Sequence, residues 1–190
     1  MKKITFTNKG NRFSHPQKQL ISKTINVGSN NDIKTPFAFI LGSNNNISGG
    51  YQNIGASVAL GHNNGLHSAN ASIVVGDNNS IAPANNVTVN GSQNNVNGAY
   101  HLVTGNSNKL QNNSTNCTVN GNYNLISYNA NFVQINGSNN AIGFSASSCL
   151  VFGCNNVIQD NLTNVTIIGN NIIATQSYSY IVATPPQQQK

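Results

Sequence analysis

The chain has 190 residues, a formal net charge of +6 and only 6% charged residues. An ordinary soluble domain carries about 25% charged residues, so salt bridges contribute little to the stability of this chain. No apolar run reaches the roughly 20 residues that a membrane-spanning helix needs. Asparagine alone occupies 39 positions. This composition favours a structure held together by backbone ladders and stacked side chains.

The positive charge is concentrated near the N-terminus. Seven of the nine basic residues precede position 35: Lys2, Lys3, Lys9, Arg12, Lys18, Lys23 and Lys34. We expect residues 1–23 to form a basic docking arm that binds another protein of the same assembly. Clustered basic residues also suit nucleic acid. The arm lacks aromatic platforms and the rest of the chain offers no basic groove, so nucleic acid is the less favoured partner.

A repeat occupies residues 24–175. The residue five positions after each repeat glycine is apolar in all ten units. The residue three positions after the glycine is asparagine in nine units, and the exception is Ile172. Two residues before the glycine the chain is again apolar in nine units, with Asn26 as the exception. Such columns indicate stacked, equivalent turns. The glycines are Gly28, Gly42, Gly61, Gly76, Gly91, Gly105, Gly121, Gly137, Gly153 and Gly169.

The period predicts an all-β fold, a parallel β-solenoid of about ten turns. Most turns have 14–16 residues, which is too short for a helical hairpin, and they are rich in β-branched residues. We expect one strand to run into each glycine and a second to begin near the apolar residue after it. The asparagine column is predicted to hydrogen-bond along the stack, as identical amides do in stacked sheets. The alternative is that these asparagines only mark loops.

The strand that precedes each glycine has two apolar faces near both ends of the rod. Strands apolar on both faces are normally covered on both sides, and one 15-residue turn cannot supply the second cover. We therefore expect a homotrimer in which copies of the chain pack on the outward positions, three and one residues before the glycine. The residues predicted to pack in the trimer are Val58, Leu60, Ile73, Val75, Leu150 and Phe152.

In the middle of the rod the same outward column is polar. Two interpretations stay open: a wet or ion-holding stretch around a symmetry axis, or simple surface exposure. The polar residues are Thr88, Asn90, Thr104, Thr118, Asn120, Gln134 and Asn136.

The segment Ser57-Val58-Ala59-Leu60-Gly61 is similar to the repeated head motif of trimeric autotransporter adhesins, and residues 72–76 and 149–153 fit it more loosely. The resemblance covers roughly residues 24–175. It implies a left-handed β-roll with three chains around one axis. Similar trimeric rolls and β-helices occur in bacteriophage tail fibres, tailspikes and head fibres.

The phage context is the expected one, because the given sequence shows no apolar signal segment and no membrane anchor, which the adhesins use. The resemblance thus implies a structural fibre protein of the virion, docked by its N-terminal arm and presenting a surface to the host. A bacterial adhesin head is the alternative. An ice-binding solenoid is less favoured, because it needs a regular Thr-x-Thr ladder and this chain has only isolated threonines.

We expect no enzymatic activity, cofactor or metal. Glycoside hydrolysis usually needs two carboxyl groups within about 10 Å, but Asp32, Asp77 and Asp160 stand several turns apart and glutamate is absent. His62 and His67 share one turn with no nucleophile in phase. The cysteines show no metal-ligand spacing. Cys117 and Cys149 lie two turns apart, too far for a disulfide, and are expected in the core, whereas Cys154 lies in a turn.

Aromatic residues outside the apolar columns are candidates for binding a host glycan. Aromatic rings could stack on sugars or could pack between neighbouring chains, and the sequence leaves both possible. The candidate residues are Tyr51, Tyr100, Tyr123 and Tyr128, with Phe144, Tyr178 and Tyr180 also outside the columns. Residues 176–190 are expected to form a C-terminal tail, since Pro185 and Pro186 interrupt a strand ladder.

Overall fold

The computed structural model describes residues 24–35, 37–48 and 57–183, together with the backbone of Arg12–Phe13. These residues form 23 β-strands and no helix. All strand pairings among them are parallel, and the strands assemble into two long sheets. The prediction of an all-β parallel solenoid is therefore confirmed.

Sheet 1 contains the strands that run into the repeat glycines. Its eleven strands, with numbers in chain order, stack as β2 (Ile25–Val27), β4 (Ala38–Ser43), β6 (Ser57–His62), β9 (Ile73–Asp77), β11 (Thr88–Asn90), β13 (Leu102–Thr104), β15 (Thr118–Asn120), β17 (Asn131–Asn136), β19 (Ser147–Phe152), β21 (Val165–Ile168) and β23 (Ser179–Val182).

Sheet 2 contains the strands that begin after the asparagine column. They stack as β1 (Arg12–Phe13), β3 (Asp32–Ile33), β5 (Asn46–Ser48), β7 (Gly65–His67), β10 (Ser80–Asn85), β12 (Asn95–Ala99), β14 (Lys109–Leu110), β16 (Leu125–Ile126), β18 (Ala141–Ile142), β20 (Val157–Ile158) and β22 (Ile173–Ala174). A short strand, β8 (Ala69–Asn70), pairs with the second half of β10.

The register places equivalent residues of successive turns side by side. In sheet 1, Gly42 pairs with Gly61 and Gly61 with Gly76. The glycine at each of these positions has a positive φ, 131° at Gly42, and a Cβ there would overlap the carbonyl oxygen of Gly61 on the next turn. Since no other residue avoids both conflicts, the glycine column follows from the distance between the turns.

The core lies between the two sheets and is built from the columns that the sequence indicates. Ile40, Val74 and Val119, two residues before a glycine, are buried, as are Ile81 and Ile126, five residues after one. Two strands per turn with alternating side chains place these columns inside and their neighbours outside.

The asparagine column forms a continuous buried ladder. At its centre the Asn94 side-chain amide donates to Asn79 Oδ1 at 3.0 Å and to the carbonyl oxygen of Gly105 at 2.8 Å. Asn94 Oδ1 accepts two bonds from Asn108, one from the backbone N–H and one from Nδ2, both at 3.0 Å. The prediction of a hydrogen-bonded ladder is confirmed. Its members are Asn31, Asn45, Asn64, Asn79, Asn94, Asn108, Asn124, Asn140 and Asn156.

The two residues that break the sequence columns lie at the ends of this ladder. Asn26 occupies an otherwise apolar position, and its Oδ1 accepts a bond from Asn31 Nδ2 at 2.8 Å. Ile172 occupies the asparagine position of the last turn, and its backbone N–H donates to Asn156 Oδ1 at 3.0 Å. Both exceptions therefore terminate the ladder without leaving its end amides unpaired.

Replacing Asn94 by alanine should strongly destabilise the solenoid. The change removes four hydrogen bonds. Asn79 Oδ1 keeps the Asn94 backbone N–H, but the Gly105 carbonyl oxygen, the Asn108 backbone N–H and one Asn108 Nδ2 hydrogen lose a partner, at about 1–3 kcal/mol each. We expect a loss of at least about 3 kcal/mol in the free energy of unfolding, measured by urea unfolding followed by circular dichroism.

The matched control is Asn95→Ala, at the exposed neighbouring position, which should change stability by less than about 0.5 kcal/mol. Equal effects of the two substitutions would show that these asparagines serve only as loop residues.

Candidate functional site

The N-terminal section of the outward face of sheet 1 is apolar over four successive strands. Ile25 is 51% exposed and Ile73 is 44% exposed, although both stand in strands whose other face is core. The register aligns Phe39, Val58 and Ile73 in one row along the rod. This section consists of Ile25, Val27, Phe39, Leu41, Val58, Leu60, Ile73 and Val75.

The middle section of the same face is polar, as the sequence indicates, apart from Leu102. Its residues are exposed or half-buried and continue the two rows in register. The section consists of Thr88, Asn90, Leu102, Thr104, Thr118, Asn120, Gln134 and Asn136.

The C-terminal section is again mainly apolar and extends to the last strand. Phe152 is 42% exposed, and β23 adds Tyr180 and Val182 to the face by pairing with β21. The sequence analysis assigned these two residues to the C-terminal tail. The signal available was Tyr180-Ile181-Val182-Ala183, which follows the strand pattern with alanine at the glycine position. The section consists of Leu150, Phe152, Thr166, Ile168, Tyr180 and Val182.

We call these three sections together the assembly face. It carries all six residues predicted to pack in a trimer, and the described residues of one chain leave it uncovered. Val58, Leu60, Val75 and Leu150 are half-buried, while Ile73 and Phe152 are exposed. The trimer itself stays a prediction.

The predicted glycan-binding tyrosines do not converge on one site. Tyr123 stands two residues after its glycine and Tyr100 five residues before the next, both at corners with φ near 60°. Tyr128 stands seven residues after the glycine, at a third corner. All three are exposed, whereas Tyr51 lies outside the described residues. Phe132 is 60% exposed at the same kind of corner as Tyr100, and the sequence pattern did not identify it as an exposed aromatic residue.

Beside Tyr128 the surface of sheet 2 contains a groove of about 430 Å³. Its floor lies at Ala141 and Gly143, and Gln159 and Asp160 line it from the next turn. From the sequence, Asp160 was a candidate only for a catalytic acid. The repeat pattern does not indicate that Gly143 lies beside it.

Each described carboxylate has a structural partner. Asp32 pairs with Lys34 at 2.8 Å and Asp77 with His62 at 3.1 Å, both on the surface. Ser48 Oγ lies 2.9 Å from Nδ1 of His67, so the serine–histidine and histidine–aspartate contacts involve different histidines. In residues 24–35, 37–48 and 57–183 no three metal-ligating side chains come together.

The inward column four residues before the glycine contains two thiols with altered acidity. Burial raises the pKa of the Cys117 thiol to about 11 and also raises that of Cys149. Both thiols are free and buried, as predicted, and are therefore poor nucleophiles near neutral pH. Cys154 is free and half-buried.

His101 occupies the same inward column and is 3% exposed. Its Nδ1 accepts the Cys117 backbone N–H at 3.2 Å, and its Nε2 lies 3.3 Å from Ser114 Oγ. Burial lowers the pKa of the imidazole below its ordinary value of 6.5, with the hydrogen bonds opposing that shift. The native chain therefore holds His101 neutral.

Acidification below pH 6.5 should destabilise the solenoid through His101. Below that pH the unfolded chain binds a proton that the native imidazole resists, so native stability falls as pH falls, by up to about 1.4 kcal/mol per pH unit. His101→Ser should weaken this dependence. Ser72 holds the same position two turns earlier, and its Oγ accepts the Val87 N–H at 3.4 Å.

Melting temperatures of both proteins between pH 7.5 and 5.5 measure the effect. An equal slope in the two proteins would show that His101 does not carry it.

The docking arm lies almost entirely outside the described residues, including Lys2, Lys3, Lys9, Lys18 and Lys23. The backbone of Arg12–Phe13 pairs in parallel with Asp32–Ile33, at the edge of sheet 2. Residues 12 and 13 of the arm therefore lie next to the N-terminal end of the solenoid.

No protein-family model matches this chain, and no curated protein is similar to it in sequence. Within the described ranges the structure contains no helix long and apolar enough to cross a membrane. The β-solenoid is thus established by the structure alone.

Proposed function

We propose that this protein is a structural fibre protein of a bacteriophage virion, assembled as a homotrimer and presenting a host- or glycan-binding surface. The observation that carries the proposal is the assembly face. A sheet surface with two apolar sections on a continuous rod is too large to be left in water without a partner.

Copies of the same chain are the partner that fits this face best. Under cyclic symmetry each row of one rod meets equivalent rows of its neighbours. Apolar rows then meet apolar rows at both ends, and the Asn and Thr rows of the middle section meet one another. A partner of another sequence would have to reproduce this alternation of apolar and polar sections.

The proposal includes no catalysis and no cofactor. Asp32, Asp77 and Asp160 occupy three different positions of the repeat and bond to Lys34, His62 and the backbone of Phe144, respectively. The arm of residues 1–23 would dock the rod on another virion protein, because seven of nine basic residues lie before position 35. Nucleic acid and membrane are not among the proposed partners.

Introducing charge on the assembly face should dissociate the trimer. In Val58→Asp with Leu60→Asp, each chain would place two carboxylates against the apolar rows of its neighbours, where unpaired buried charge is strongly unfavourable. Light scattering should change from about 60 kDa, three times the 20.1 kDa of one chain, to 20.1 kDa.

The control is Ser80→Asp with Ala82→Asp, which adds the same charge on the outer surface of sheet 2 and should stay trimeric. A monomeric wild-type chain would contradict the trimer.

Mass spectrometry of purified virions and of the cell envelope tests the proposed location. We expect the full chain in virions, and we expect a chain beginning at Thr24 to remain trimeric but to be lost from them, because it keeps the assembly face and lacks the arm. Detection only in the envelope would favour the alternative, a bacterial adhesin head, to which residues 57–61 are similar. Normal incorporation of the shortened chain would place docking elsewhere.

A further inference from the structure

The groove on sheet 2 is produced by a local departure from the repeat. The outward residues of its middle turn, Ala141 and Gly143, are small, whereas the turns on either side place Leu125 and Val157 in register with Ala141. These small residues line an open surface depression of about 430 Å³.

Gly143 also allows the next turn to approach this depression closely. Its φ is not in the left-handed region, but a Cβ would come within 2.6 Å of the Gln159 carbonyl carbon, the Asp160 backbone nitrogen and Asp160 Oδ1. The close approach of this backbone and of the carboxylate therefore requires glycine. The Phe144 backbone N–H donates to Asp160 Oδ1 at 2.7 Å and fixes the carboxylate beside the floor. No described residue donates a hydrogen bond to Asp160 Oδ2.

Two aromatic side chains stand beside the groove in one column. Tyr128 and Phe144 are both seven residues after their glycines on successive turns, and the Ser145 N–H donates to the Tyr128 carbonyl oxygen at 3.0 Å. They are 46% and 44% exposed. Each directly follows a residue that lines the groove, Ser127 and Gly143 respectively.

We propose that this groove binds a neutral saccharide. Asp160 would accept hydroxyl hydrogen bonds, which are strong because the acceptor is charged. The Gln159 amide can donate and accept. Tyr128 and Phe144 would supply apolar contact to a sugar ring. The chemistry thus combines a fixed charged acceptor and an amide in one open depression with two aromatic residues that adjoin its lining in sequence.

A cationic ligand fits this arrangement less well. A site for a quaternary ammonium group surrounds the cation with several ring faces, whereas Tyr128 and Phe144 stand in a single column along one side. Asp160 is the only charged residue that lines the groove, and Asp160 by itself does not form a metal site.

The groove and the assembly face lie on different sheets. A chain in a trimer packed through sheet 1 would therefore keep the outer surface of sheet 2 available. The inference deepens the glycan-binding part of the proposed function and rests only on that part. Saccharide binding is measured on the purified protein, so the test does not depend on where the protein is located.

The test screens the purified full-length protein on an array of immobilised neutral, acidic and amino glycans, together with a choline-bearing surface. Soluble oligosaccharides that correspond to the array hits are then titrated by NMR. We expect binding to neutral glycans. Asp160→Asn, which keeps an oxygen for the Phe144 N–H, should weaken it about tenfold or more, as should Tyr128→Ala with Phe144→Ala.

Two matched controls should leave affinity within about twofold, a change of under 0.5 kcal/mol. Asp77→Asn removes an exposed carboxylate that likewise accepts a backbone N–H, that of His62 at 2.9 Å. Phe132→Ala removes an exposed ring at another corner, outside the predicted glycan-binding residues. The inference is overturned if no neutral glycan binds at millimolar concentration, if choline binds instead, or if the controls lose affinity as much as the groove variants. If the protein is detected in virions and any of these results is obtained, the fibre proposal stands and saccharide binding in the groove is rejected.

Discussion

The buried amide ladder imposes the strictest constraint on this chain. A buried asparagine amide needs partners for two donors and for its oxygen, and here Asn94 finds them only on its own column and on the glycine carbonyl of the next turn. The spacing from glycine to asparagine therefore cannot vary. Turn length varies only beyond the apolar position five residues after each glycine, as in β10, whose register against β12 shifts between Ile81 and Ala84. Spacings of 14 to 19 residues therefore coexist with fixed columns.

Because ladder and core supply the stability, the outward positions of the strands are free to vary. Equivalent outward positions hold Ile73, Thr88, Leu102 and Thr118 in successive turns, although their backbones pair identically. Variation of this kind has no role in forming the sheet, since a β-strand accepts any of these residues. It instead divides the assembly face into sections and determines what can pack against it. Charged residues are scarce because the amide ladder and the apolar core need no charged side chain.

Repetition made most of the fold predictable from sequence. A position that recurs ten times with one residue type indicates its structural role. The predictions of the glycine bends, the amide ladder and the inward columns were therefore all correct. The exceptions Asn26 and Ile172 were visible as exceptions, but their role required knowing where the ladder ends. Features that occur once were not predictable. The contact of Asp160 with Gly143 joins residues of two turns whose side chains share no column. Phe132 stands at a corner position whose residue type changes from turn to turn, with Ala71, Tyr100 and Asn116 at equivalent positions.

Departures from the repeat are consequently the most informative positions of this rod. His101 replaces a small inward residue and should make stability depend on pH. Gly143 stands outside the glycine column and is needed because the backbone of Gln159 and Asp160 and the Asp160 carboxylate come too close for a Cβ. Neighbouring turns fold without either feature. Both departures are therefore best explained by a local role at their own turn of the rod. Several such departures occur together at the groove beside Tyr128 and Phe144.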